Sequence, residues 1–164
     1  MSEDRNGLTE WALDCYRQPG VMPSLLALQD EFELDVLLLL TTGWLWSCGR
    51  SLPSGQLPRL VAQQLPWQQQ IVAPLRLVRR NLKPDVEAQT LYQQVKAVEL
   101  DAELLQLGRL QKYAEDLSAS QAVALLDQLW ALSVAQRGIE ADTRLQSLLE
   151  QYAAAITCFS SPAV

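Results

Sequence analysis

The sequence contains no histidine among its 164 residues. Imidazole is the usual base that activates serine and cysteine nucleophiles, and it ligates the metal in zinc hydrolases and di-iron helical bundles. Those mechanisms are therefore excluded, although a lysine or a carboxylate could still act as a base. Motifs of P-loop, Rossmann, zinc-ribbon and nucleophile-elbow proteins are also missing. We therefore expect no cofactor, no metal and no catalytic residue.

Cysteine and long apolar runs are scarce as well. Cys15, Cys48 and Cys158 are far apart and include no Cys-x-x-Cys pair, which is typical of unpaired thiols in a reducing cytosol. The charge-free stretch 36–49 is shorter than the roughly 20 residues that a membrane span requires. The polar, acidic N-terminus has no signal-peptide character. These features predict a cytoplasmic protein without membrane association.

Helix-forming residues dominate what is present. Leu, Ala, Gln and Glu fill long stretches, and β-branched residues are few and scattered. A content of 49% apolar and 20% charged residues is typical of a globular protein. The sequence therefore predicts an all-α bundle of about seven or eight helices, as one domain over residues 1–164, with 158–164 as a frayed tail.

Capping residues and prolines set the predicted helix boundaries. Thr9, Asp35 and Ser118 are candidate N-caps, the last within a capping box ending at Gln121. Pro66 is expected to open a helix, and Pro74 is expected to bend or split it. The predicted helices cover about 8–18, 23–31, 36–48, 56–65, 66–82, 86–117, 119–136 and 140–156.

The predicted spine helix, 86–117, carries an apolar seam with alternating three- and four-residue spacing. We favour an intramolecular helix pair along this seam, and a homodimer is the alternative, because the repeat is short for a coiled coil. The seam residues are Ala88, Leu91, Val95, Val98, Ala102 and Leu105.

Charge is unevenly distributed along the chain. Residues 1–35 carry eight acids and two bases, residues 36–84 carry six bases and no acid, and residues 85–164 carry eleven acids and five bases. Four of the central bases, Arg76, Arg79, Arg80 and Lys83, lie on one face of a helix at i, i+3, i+4 and i+7.

This basic face has two interpretations. In the first, the arginines pair with acids of the next helix, namely Glu87, Glu99, Asp101 and Glu103. In the second, the face binds an acidic protein partner or an anionic small molecule. Nucleic acid is disfavoured because the pI is near 4.6 and no aromatic residues are interleaved with the bases.

Two further features have a structural and a functional interpretation. Trp44 and Trp46 are either core residues or exposed anchors for a partner. Glu99 and Glu103 share a helix face, so they are either solvated charges or the carboxylate pair of a small enzyme that also uses arginines.

An ordered set of short motifs resembles an uncharacterised proteobacterial family of small all-α proteins, about 160 residues long and of unknown function. The set is Trp11-Ala-Leu, Pro19-Gly20-Val21, Leu26-Ala-Leu-Gln-Asp30, Leu34-Asp-Val-Leu-Leu-Leu-Leu40, Trp44-Leu45 and Pro74-Leu-Arg76. The resemblance covers most of the chain and implies an accessory role without a known activity.

Together these observations favour a non-catalytic cytosolic interaction protein that uses Arg76, Arg79, Arg80 and Lys83 to bind an acidic partner or an anionic ligand. The alternatives are a small enzyme with a carboxylate and arginine pocket, and a homo-oligomeric structural subunit.

Overall fold

The computed structural model describes residues 7–121 and 123–160, and α-helices make up most of them. A π turn, Gln68–Val72, joins α4 to α5, and 3-10 turns, Ser54–Gln56 and Val86–Ala88, precede α4 and α6. The predicted all-α class and the long helix over 86–117 are confirmed. The helices are α1 (Leu8–Tyr16), α2 (Val21–Phe32), α3 (Val36–Ser47), α4 (Leu57–Trp67), α5 (Ala73–Leu82), α6 (Gln89–Leu117), α7 (Leu125–Arg137) and α8 (Thr143–Phe159).

Helix α3 lies at the centre of the bundle. Residues 37–45 are all buried, because the helix is apolar on every side and has no face suited to water. Its main neighbours are α1, α2, α4, α6 and α7. The predicted cap is confirmed, since the Asp35 carboxylate accepts hydrogen bonds from the backbone N–H groups of Leu37 (2.8 Å) and Leu38 (3.3 Å).

Gly43 allows α1 and α8 to approach α3 closely. A Cβ atom at this position would lie 2.8 Å from Ile156 Cδ1 and 2.9 Å from Trp11 Cη2. Nearby, the Tyr152 hydroxyl donates a hydrogen bond to the Leu39 carbonyl at 3.0 Å. The predicted apolar stripe of α8 is confirmed, because each of its residues, Leu145, Leu148, Leu149, Tyr152 and Ile156, is buried.

Helices α4 and α5 form one continuous rod, so the predicted helix start at Pro66 is wrong. Pro66 lies inside α4, and the π turn follows directly. In that turn the Ala73 N–H bonds to the Gln68 carbonyl, five residues back. A proline ring crowds the carbonyl four residues before it, and the wider π turn before Pro74 relieves that crowding. The rod packs along α6.

One predicted cap and two predicted helix starts differ from the structure. Thr9 lies inside α1, whose first N–H, that of Leu8, donates instead to Gln111 Oε1 at 2.8 Å. Asp142, not a residue near 140, caps α8 through its carboxylate. Helix α2 begins two residues before Pro23, which fits within its first turn.

Ser118 does not open α7, which begins at Leu125. The Ser118 hydroxyl accepts a hydrogen bond from Arg50 Nε at 2.8 Å, and Ser51 and Ala119 form an antiparallel bridge. These contacts hold the chain extended where the capping box predicted a helix. Ala122, within the predicted helix 119–136, lies outside the described residues.

The predicted frayed tail begins too early, because Cys158 and Phe159 belong to the last turn of α8. The ring of Phe159 lies 5.9 Å from that of Trp11, which ties the turn to α1. Residues 161–164 are outside the described range. Over 7–121 and 123–160, none of the helices combines the length and apolar character needed to cross a bilayer.

Candidate functional site

Helix α5, the turn 83–85 and residues 86–105 form a helical hairpin at the edge of the bundle. Helix α5 contains no buried residue, and its main neighbours are α6 and the π turn. The hairpin therefore has two sides, an inner side toward the bundle and an outer side toward solvent. All four bases of the predicted basic face lie on it.

The inner side is held by ion pairs between α5 and α6. Arg76 Nε lies 3.2 Å from Glu99 Oε1, and Arg76 Nη2 lies 3.1 Å from Glu103 Oε1. Arg79 Nε also pairs with Glu99, whose hydrogen bond raises the pKa of Arg79. The Glu99 side chain is only 8% exposed. The interpretation that these arginines pair with the following helix is thus confirmed for Arg76 and Arg79.

The other two bases of the predicted face lie toward solvent. Arg80 Nη2 lies 3.2 Å from Asp30 Oδ1 at the end of α2, with both side chains more than half exposed. Glu87, the partner expected for Arg80, forms no ion pair with it. Lys83 is exposed at the hairpin turn and has no ion pair within 7–121 and 123–160. Only Arg80 and Lys83 therefore remain accessible to an acidic partner.

A polar chain continues from the ion pairs into the bundle. Gln106 Nε2 donates to Gln64 Oε1 at 2.8 Å, and Gln64 Nε2 donates to Asp35 Oδ2 at 2.9 Å. Burial raises the pKa of Asp35, and the hydrogen bond from Gln64 opposes the shift. Burial also raises the pKa of Glu103. The positive charge of Arg76 lowers this pKa, and the negative charges of Glu99 and Asp35 raise it further.

The carboxylates of this inner side are occupied by internal partners. Arg76 and Arg79 donate hydrogen bonds to the Glu99 carboxylate, and Arg76 also donates one to the Glu103 carboxylate. Two clefts lie elsewhere, one beside the loop 51–57 and one between α4 and α6, and neither is lined by Glu99 or Glu103. In the part of the chain that the structure covers, no group of three or more acids and cysteines could hold a metal.

The outer side of the hairpin carries the predicted seam, which is half open. Leu91, Val98 and Leu105 are each about half exposed, at 50%, 51% and 51%. Of the remaining seam residues, Ala102 is buried and Ala88 and Val95 are partly buried. The predicted intramolecular helix pair between α5 and α6 is confirmed, but it covers only one edge of the seam.

Helix α5 contributes a matching aliphatic row. Leu75, Val78 and Leu82 have helical spacing, and Val78 is 47% exposed. The ion pairs set the antiparallel register, with Arg76 beside Glu99 and Glu103, so this row lies along the edge of α6 that carries the seam. We call the surface formed by Val78, Leu91, Val98 and Leu105 the outer groove.

The two tryptophans proposed as anchors lie on or in the core. Trp44 is 4% exposed inside α3, so it is a core residue and the alternative of an exposed anchor does not hold for it. Trp46 is partly buried against the same core. The outer groove is not predictable as a site from sequence. The seam pattern identifies the apolar residues but not whether they face the bundle or solvent.

Residues 8–110 match a known protein family, described as Protein of unknown function (DUF2390). The chain belongs to this family. No curated protein and no solved structure matches the chain. The expectation of an uncharacterised family is therefore confirmed.

The DUF2390 match covers α1 to α5 and most of α6, and it ends before α7. The complete hairpin, including the ion pairs and the outer groove, lies inside the matched residues. Both sides of the hairpin therefore belong to the part of the chain that defines its family membership.

Proposed function

We propose that this DUF2390 protein is a non-catalytic interaction protein of the bacterial cytoplasm, and that its outer groove binds an amphipathic helix of a partner protein. The observation that carries the proposal is the half-open seam, in which Leu91, Val98 and Leu105 are exposed at seven-residue intervals. Contiguous exposed aliphatic surface is uncommon on monomeric proteins and marks interaction sites.

The spacing of the groove residues favours a helical occupant. Leu91 to Leu105 spans 14 residues, which is about 21 Å of helix at 1.5 Å per residue. Because α5 and α6 already pack side by side, a third helix laid between them would complete a three-helix arrangement with seven-residue periodicity. Its aliphatic residues would enter the groove at i, i+3, i+4 and i+7.

The small size of the groove favours a transient partner over a permanent second copy of the chain. Four partly exposed aliphatic side chains cover much less than the roughly 800 Å² per partner of a standard stable interface. Arg76 and Arg79 are paired internally and cannot attract an acidic partner. We therefore expect acidic residues at only one end of the partner helix. That end would lie near Arg80 and Lys83 at the hairpin turn.

Site-specific photo-crosslinking tests the proposal in the native cell. A photoreactive phenylalanine analogue replaces Val98 in one sample and Met22, which is 46% exposed on α2, in the other. We expect a crosslinked protein only with the analogue at position 98. Mapping of the crosslinked peptide should find an amphipathic helical segment with seven-residue apolar spacing.

A substitution control separates the groove from general surface hydrophobicity. Leu91→Gln together with Leu105→Gln should abolish the crosslink from position 98. Leu77→Gln, at the most exposed leucine of α5 (61%), should leave it intact because Leu77 lies outside the groove. A crosslink to the chain itself, to a segment without that spacing, or to the same protein from both positions would contradict the proposal.

A further inference from the structure

A cleft of about 310 Å³ lies between α4 and α6. It differs from the outer groove in its chemistry, because it combines a guanidinium, two aromatic rings and two amides. Its lining residues are Gln63, Pro66, Trp67, Gln106, Arg109, Leu110 and Tyr113.

Arg109 has no polar partner, whereas most arginines among the described residues have one. Its side chain is exposed, and the structure gives its guanidinium neither a carboxylate nor a hydrogen bond among the described residues. Arg50 donates to Ser118, and Arg59 is exposed. Six others pair with carboxylates: Arg17, Arg76, Arg79, Arg80, Arg137 and Arg144.

Trp67 holds this guanidinium in position. The Arg109 Cζ atom lies 4.6 Å from the centre of the indole ring, in a cation–π contact. The indole is itself fixed, because its Nε1–H donates to the Ala102 carbonyl at 3.1 Å. One face of the guanidinium is thus covered, while its N–H donors have no acceptor among the residues that the structure describes. Arginine donors in this state match a carboxylate in a two-point contact.

We infer that this cleft binds a small carboxylate that carries a flat apolar group. The carboxylate would take the donors of Arg109, and the flat group would pack against Pro66, Leu110 and the Tyr113 ring. Arg59 lies on the same face of α4 as Gln63, one turn earlier, and has no ion pair in the described part of the chain, so its charge also attracts an anion. The inference does not rest on the docking proposal, because the outer groove contributes none of these residues.

Titration with benzoate, followed by the indole N–H signal of Trp67 in NMR spectra, tests the site. We expect a saturable shift with a Kd in the millimolar range, as befits a fragment-sized ligand. Benzyl alcohol, which has the ring but no charge, should not saturate. Arg109→Gln should weaken benzoate binding at least about tenfold, as expected for loss of a charge-assisted contact.

Lys112→Gln is the matched control, because it removes one positive charge from an exposed position one turn away on α6. Its benzoate affinity should remain within about twofold of the natural protein, since long-range attraction alone is weak in salt. Arg109→Lys keeps the charge but loses the planar donors, so it should bind weakly while remaining folded. Unfolding curves for each variant confirm that the fold is retained.

Three results of the benzoate titrations would overturn the inference. They are the absence of a saturable shift with benzoate, equal affinity in the Arg109→Gln variant, and equal weakening in the Lys112→Gln variant. Binding of inorganic phosphate at Trp67 without binding of benzoate would also overturn it, because the flat apolar group would then have no role.

Discussion

Glu99 accepts hydrogen bonds from both Arg76 and Arg79, with only 8% of its side chain exposed. Two guanidinium groups share this carboxylate, so its removal leaves Arg79 without a carboxylate partner and Arg76 with only Glu103. Uncompensated charge at low exposure is costly, because water cannot replace the missing partner.

Glu99→Gln should therefore destabilise the fold by about 3 kcal/mol, the order found when one partner of a buried ion pair is removed. Asp101→Asn, two residues away and exposed, is the matched control and should change stability by less than about 0.5 kcal/mol. Urea unfolding of both variants measures the difference. Similar losses in the two variants would show that Glu99 is not the buried centre of the network.

The raised pKa of Glu103 gives a second prediction at this scale. Burial is the main cause, and the folded state therefore retains the Glu103 proton at pH values where the unfolded chain has lost it. The free energy of unfolding then falls as the pH rises from the ordinary glutamate value of about 4.3 through the raised value.

Glu103→Gln removes that contribution, so the stability of the variant should fall less steeply than that of the natural protein across this mildly acidic window. Urea unfolding at several pH values measures the two slopes. Parallel curves would mean that the folded protein does not hold the Glu103 proton more tightly than the unfolded chain.

Pairing of charged residues was predictable only in part from sequence. The abundance of bases in 36–84 and of acids after residue 85 predicts the pairs of Arg76 and Arg79 with α6. The contact of Arg80 with Asp30 was not predictable, because it depends on where α2 ends relative to the hairpin. The stacking of Arg109 on Trp67 was not predictable either, because it depends on how α4 lies against α6.

At the scale of helices, close packing at Gly43 fixes the arrangement of α1, α3 and α8. Gly43→Ala should destabilise the protein by about 2 kcal/mol, since the added methyl would meet both Ile156 and Trp11 at less than 3 Å. Gly108→Ala is the matched control inside α6, where nothing lies within 4 Å of the added methyl. It should stabilise the protein by about 0.5–1 kcal/mol through helix propensity.

Thermal unfolding of the two glycine variants measures these opposite changes in stability directly. Stabilisation by alanine at both positions would contradict the close approach of α8 to α3.

Helix existence was more predictable than helix boundaries. The cap at Asp35 depends on local chemistry, and it is found where the sequence predicts it. Pro66 and Ser118 misled the prediction for tertiary reasons. A π turn between Pro66 and Pro74 keeps the rod continuous, and the bridge between Ser51 and Ala119 keeps the chain extended ahead of α7.

At the scale of the whole molecule, the hairpin places ion pairs inside and aliphatic residues outside. The sequence shows the seven-residue repeat of the seam. Which side of the seam faces solvent depends on how the rod of α4 and α5 lies against α6. The inner ion pairs hold α5 against α6, and the contact between Arg80 and Asp30 links the hairpin to α2. The outer groove thus remains open without exposing the polar chain that leads to Asp35.

The openness of the seam is the central claim, and thiol labelling of the folded protein tests it most directly. Val98→Cys and Ala102→Cys are compared by mass spectrometry, with two natural cysteines as internal references. Cys158 is exposed, whereas Cys15 is fully buried and burial raises its pKa to about 12. We predict that the thiol at position 98 reacts about as fast as Cys158, and that the thiol at position 102 is protected toward the slow rate of Cys15. Protection at position 98 in the purified protein would contradict the account, since the protein itself or a second copy would then cover the groove.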